Sequence, residues 1–98
     1  MTMSDERIEH RPMREDLVGR ISEWELALHD VRARHEVGDS LRLELGDDTP
    51  IGRIAELAAA EQRRTGFFRF ALTVDGRGPA LEVAAPPERR DALYALFA

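Results

Sequence analysis

Ile51-Gly52-Arg53-Ile54-Ala55-Glu56-Leu57-Ala58-Ala59-Ala60-Glu61-Gln62-Arg63-Arg64 runs through Thr65-Gly66 into Phe67-Phe68-Arg69-Phe70-Ala71-Leu72-Thr73-Val74, and a glycine-bearing turn then leads to Leu81 and Val83. The first segment has helical spacing. Ile51, Ile54, Leu57, Ala58 and Glu61 lie three, four and seven positions apart, which puts all five on one face. Gly66 is suited to a left-handed cap that ends the helix. The period then drops to two, with Phe68, Phe70, Leu72 and Val74 on one side of a strand and Phe67, Arg69, Ala71 and Thr73 on the other. Pairing Val74 with Leu81 and Leu72 with Val83 makes Gly76-Arg77-Gly78-Pro79 a four-residue connection. A Gly-x-Gly between two strands, with no helix after it, reads as a turn and not as a phosphate cradle. Helix, strand and returning strand hold three of the four phenylalanines, so the core is expected here.

Upstream, Val31–Val37 and Leu41–Leu45 form a second hairpin around Gly38-Asp39-Ser40. Parity suggests its register. A three-residue loop sets Val37 opposite Leu41, His35 opposite Leu43 and Ala33 opposite Leu45, which gathers the apolar residues on one face and turns His35 inward. A two-residue loop would instead place the leucines beside Arg32, Arg34 and Glu36. Before the hairpin, Met13, Leu17, Ile21, Trp24 and Leu28 recur at spacings of four, four, three and four, an apolar stripe on a helix that Pro12 is suited to begin. Arg20 lies off that stripe. Residues 1–11 carry both signs of charge without a period and read as a mobile tail, leaving residues 12–98 as one domain.

Gly46-Asp47-Asp48-Thr49-Pro50 reads as a turn and helix start, with Thr49 as N-cap and Pro50 as the first helical residue. Its two aspartates suit a helix N-terminus and lack the further oxygen ligands of a calcium loop. After Pro86-Pro87, a short helix to Phe97 shows Leu93, Leu96 and Phe97 as its apolar side, with Tyr94 at the margin. The order α-β-β-α-β-β-α predicts a two-layer α+β domain: a four-stranded antiparallel sheet of two hairpins with three helices on its inner face.

Composition excludes several chemistries. At 43% hydrophobic and 34% charged residues, the chain of 98 is in the range of a soluble globular domain. It has no cysteine, and all fourteen basic residues are arginine, so thiolate, disulfide and lysine chemistry are absent. A net charge of -5 disfavours direct nucleic-acid binding. No apolar run suits a membrane span or a signal core, which suggests a cytoplasmic protein. Three histidines without a cysteine make no zinc set, and neither a metal nor another cofactor is expected.

Four residues form a candidate ligand pocket between sheet and helices: Trp24, His35, Glu61 and Tyr94. A buried carboxylate needs a partner, and an inward His35 would supply one. The reading is a non-catalytic small-ligand-binding or regulatory module. An interaction module is the alternative, homodimeric through the outer sheet face or an edge strand, with Phe67, Ala71, Ala80 and Ala84 as an outward apolar patch. A Glu/His acid–base enzyme ranks third, because no motif fixes a substrate.

From Glu23-Trp24 onward, through Ala58-Ala59-Ala60-Glu61-Gln62, Phe67-Phe68, Phe70, Leu72, Asp75-Gly76, Leu81-Glu82-Val83 and Ala85-Pro86, the chain resembles a family of small, largely uncharacterised proteins of high-GC bacteria. Similar domains occur fused to MerR-type regulators. In that family a Cys-Cys pair usually lies between the Glu-Gln and the Phe-Phe. Here those positions are Arg64 and Thr65, so the resemblance implies the fold and a bacterial origin, and no soft-metal site.

Overall fold

A computed structural model of the chain describes residues 18–98. The expected tail, Pro12, Met13 and Leu17 lie outside them. Residues 18–27 are helical (α1). They are followed by β1 (Val31–Val37), β2 (Ser40–Leu45), α2 (Ile51–Arg64), β3 (Arg69–Asp75), β4 (Gly78–Ala84), a single 3-10 turn (Pro87–Arg89) and α3 (Arg90–Phe97). The architecture is the expected α+β one, an antiparallel four-stranded sheet with the order β1-β2-β4-β3. The two hairpins are joined through β2 and β4, which leaves β1 and β3 as the edges.

Leu41, Leu43 and Leu45 of β2, with Leu81 and Val83 of β4, line the inner face and are buried beneath Trp24, Ile54, Leu57, Leu93, Leu96 and Phe97 of the helices. Aromatic rings tie the layers together. The Trp24 ring is stacked 6.0 Å from that of Phe70 and meets Phe97 edge-on at 4.8 Å, while Phe68 meets Phe97 edge-on at 5.4 Å. Offset and edge-on pairs of this kind add to the stabilisation from burial alone.

The register of the first hairpin differs from the expectation. Val37 pairs with Ser40, Glu36 with Leu41, His35 with Arg42 and Arg34 with Leu43 around a two-residue loop. Gly38 at the first loop position has φ 60°, and among the described residues no non-glycine has positive φ, the pattern of a type II′ turn. The turn therefore prevails over apolar matching. Arg34 and Glu36 consequently share the inner face with the leucines, at an edge where long side chains reach out to α3. His35 points to the opposite, exposed face. A bulge between Val31 and Ala33 accommodates Arg32.

The second hairpin keeps the expected faces but is two residues tighter. Leu72 pairs with Leu81, Phe70 with Val83 and Asp75 with Gly78, whose φ of 99° only glycine adopts readily. Gly66, at φ 72°, ends α2 as expected. Thr49 does not cap the helix: α2 begins after Pro50 with no side-chain cap, and the buried Thr49 hydroxyl has no hydrogen-bond partner among the described residues. Gly46 has a different constraint. A Cβ there would meet the Asp30 carbonyl oxygen at 2.6 Å, where the Gly46 amide donates to that same oxygen at 3.0 Å.

Candidate functional site

Glu61 is turned inward by its place on the apolar face of α2, as the spacing predicts, and is 1% exposed. Its partner is not His35. Arg20 of α1 grips the carboxylate with both ends of its guanidinium, Nε donating to Oε1 at 2.8 Å and Nη2 to Oε2 at 2.5 Å. The Trp24 indole N–H also donates to Oε1, at 3.3 Å. Arg20 and Trp24 stand one helical turn apart on α1, so the charged fork and the indole reach α2 side by side. A fork-on-fork pair is the strong form of such a contact, and it satisfies a carboxylate that would otherwise be costly to bury.

The other two candidates lie elsewhere. His35, exposed on the outer face, bonds through Nε2 to Glu44 on the neighbouring strand. Tyr94 donates its hydroxyl to Glu36 at the β1 edge, with the Arg90 guanidinium 5.9 Å from its ring centroid. Trp24 and Glu61 are thus in contact, while His35 and Tyr94 are on opposite faces of the sheet and hydrogen-bond to other residues. No Glu61/His35 acid–base pair is formed.

Two grooves flank the β3 side of the sheet. One, of about 400 Å³, crosses the outer face between Asp39, Ser40, Arg69, Glu82 and Ala84. Its polar groups are partly committed: the Ser40 hydroxyl donates to the Val37 carbonyl at 2.8 Å, and Arg42 holds Glu82 at 2.7 Å. The second, of about 380 Å³, lies between Ala58, Ala59 and Gln62 of α2 and Phe68, Arg69 and Phe70. Glu61 lines neither. Among the described residues no cluster of histidine and carboxylate side chains could hold a metal ion.

The expected outer apolar patch forms only in part: Ala71 and Ala84 lie together on the outer face in the first groove, but Ala80 and Phe67 do not line it. Ala80 is buried between its neighbours on both adjoining strands, and Phe67 packs against the core beneath Arg89, whose guanidinium lies 5.1 Å from its ring centroid. Exposed apolar surface also appears on the inner side of β3. Leu72 is 37% exposed and Val74 73%; among the described residues the helices extend over Phe70 but not to the end of the strand.

The backbone of β3 is open at the same place. Val74 pairs with Pro79, which has no N–H to donate, so this is a position where the strand turns its own amide and carbonyl away from β4. Alternation extends this to Leu72 and Phe70. Three residues with inward apolar side chains therefore present their peptide groups along a straight edge that no described strand covers.

Sequence reasoning missed Arg20 and this edge. Arg20 could have been found as the cation one turn before Trp24. The edge had a signal as well: β3 reads Arg-Phe-Ala-Leu-Thr-Val-Asp, with opposite charges at its ends and apolar residues placed symmetrically about Leu72. Among the described residues no helix is long and apolar enough to cross a membrane. No protein-family model, curated protein or solved structure matches the chain.

Proposed function

We propose that the chain is a non-catalytic protein-interaction module, and that its working surface is the free edge of β3 with the apolar strip Phe70, Leu72 and Val74. The observation that carries this reading is the coincidence of unpaired backbone and uncovered apolar side chains on one regular seven-residue strand. An exposed strand of this kind is a template for another strand, and the main-chain bonds supply affinity while alternate side chains supply selectivity. Glu61, Arg20 and Trp24 serve in the same reading as an internal tie that fixes α1 to α2. The resemblance to the high-GC bacterial family adds a bacterial origin to the proposal.

A peptide of the β3 sequence, Arg69 to Asp75, provides a test in trans. Added to isotope-labelled protein, it is expected to shift the amide resonances of Phe70, Leu72 and Val74 and to leave the β1 edge unchanged. Shifts confined to β1, or none at saturating peptide, overturn the reading.

A further inference from the structure

We infer that the occupant of the β3 edge is a second copy of this chain, paired antiparallel to the first about a two-fold axis at Leu72, so that the two sheets join into one of eight strands. This rests on the interaction reading above and adds its partner and register.

The strand is complementary to itself in one alignment. With Leu72 opposite Leu72 of the second copy, Phe70 meets Val74, Ala71 meets Thr73 and Arg69 meets Asp75, each pair formed twice. All seven residues are paired. The peptide groups that point outward belong to Phe70, Leu72 and Val74, and these are matched to one another as antiparallel hydrogen bonding requires. On the helix side, the exposed Leu72 and Val74 gain apolar neighbours. Val74 of the second copy arrives opposite Phe70, at the mouth of the groove lined by Ala58 and Ala59. Aromatic and branched aliphatic pairs are among the favourable cross-strand neighbours.

Charge selects the same register. Each end of the paired strand sets an arginine against an aspartate, whereas moving the axis to Thr73 would set Arg69 opposite Arg77. A slip by a single residue would pair inward-facing with outward-facing side chains and bring the helices of the two copies to opposite faces. Asp75 is already held by Arg77 at 2.8 Å. In the pair it lies between Arg77 and Arg69 of the second copy, a placement a carboxylate tolerates because it can accept several hydrogen bonds.

The β1 edge does not offer the same arrangement. Its bulge at Arg32 breaks the straight line of peptide groups, and its inward Arg34 and Glu36 would be desolvated by a neighbouring strand.

Sedimentation of the full chain across a concentration series tests the inference, together with Leu72→Lys, Arg69→Asp, Asp75→Arg and the double exchange R69D/D75R, with circular dichroism to confirm the fold of each. The wild type is expected to approach twice the chain mass at high micromolar concentration. Leu72→Lys and both single charge changes should weaken association at least tenfold, and the double exchange should restore it. In mixed labelled and unlabelled protein, contacts between Leu72 methyl groups of different copies are expected. A single-chain mass at all concentrations overturns the dimer; the peptide titration then decides separately whether the edge is an interaction surface. A dimer unaffected by Leu72→Lys, or a double exchange as weak as the single changes, overturns the register.

Discussion

The two edges of the sheet are built from the same number of residues, but β1 is protected and β3 is open. β1 carries Arg32 at a bulge and turns Arg34 and Glu36 to the inner face, where Arg34 Nε donates to the Phe97 carbonyl at 3.1 Å and Glu36 accepts from Tyr94. β3 is regular, carries charge only at its two ends, and leaves Leu72 and Val74 uncovered. Charged side chains facing inward on an edge strand are a recognised device against unwanted pairing. Here they also bind α3, so a single substitution pattern closes one edge and attaches a helix. The contrast shows why sharing a fold does not make two edges equivalent: what the helices reach determines which one remains available.

The largest expected effect separates loss of the fold from loss of an edge. Glu61→Leu removes the carboxylate that the Arg20 guanidinium and the Trp24 indole share, and breaking a buried pair of this kind costs on the order of 3 kcal/mol. Urea melts should show that loss, and hydrogen exchange should rise in β1 and β3 together; a rise confined to one edge would mean that the pair supports only that side.

Arg34→Leu addresses β1 directly. It removes the hydrogen bond to the Phe97 carbonyl, at a cost of about 1 kcal/mol, and replaces an edge charge with an apolar side chain. The expected outcome is a moderate drop in denaturation midpoint accompanied by new, concentration-dependent self-association that persists when β3 is blocked by Leu72→Lys. Unchanged solution mass would show that the bulge alone protects β1.

Leu72→Lys by itself should alter stability by less than about 0.5 kcal/mol, as substitutions at partly exposed positions usually do, while reducing association strongly. A large fall in thermal midpoint in dilute solution would assign Leu72 to the core of the single chain.

The smallest effect is a pH dependence. Hydrogen bonds from the Arg77 side chain and backbone hold the Asp75 carboxyl below its usual range, with lesser help from Arg42. Because its pKa is depressed, the charge that faces Arg69 of the second copy persists through the ordinary aspartate range as pH falls. Association should therefore hold across mildly acidic conditions and weaken only below that range, as Asp75 takes up its proton. Sedimentation of Asp75→Asn beside the wild type isolates this contribution from the other carboxylates; identical pH profiles would remove Asp75 from the contact.

Much of the architecture was legible because it is local. Helix offsets placed Glu61 inward, Gly66 marked the end of α2, and the alternation of β3 assigned its faces correctly. The first hairpin was misread because apolar matching was given priority on a strand that proved to be an edge, where charged residues can face inward and still reach solvent or a helix terminus. His35 was lost from the candidate site by that one-residue change of register. Arg20 was overlooked because apolar spacing takes no account of a cation whose acceptor is distant in sequence. The availability of β3 depends on strand order, which pattern alone does not contain.

The pairing of β2 with β4 at the centre of the sheet has a consequence for how the chain reaches this state. Both hairpins close through neighbouring residues, and such turns form within microseconds. Leu43 and Leu81 must meet across the whole of α2 and β3, so their pairing carries the largest loop-closure entropy in the sheet. The slow step of folding is therefore expected at this central seam. Substitutions there, such as Leu43→Ala, are expected to slow refolding, and so are changes at either hairpin tip, whose turns close before the seam does.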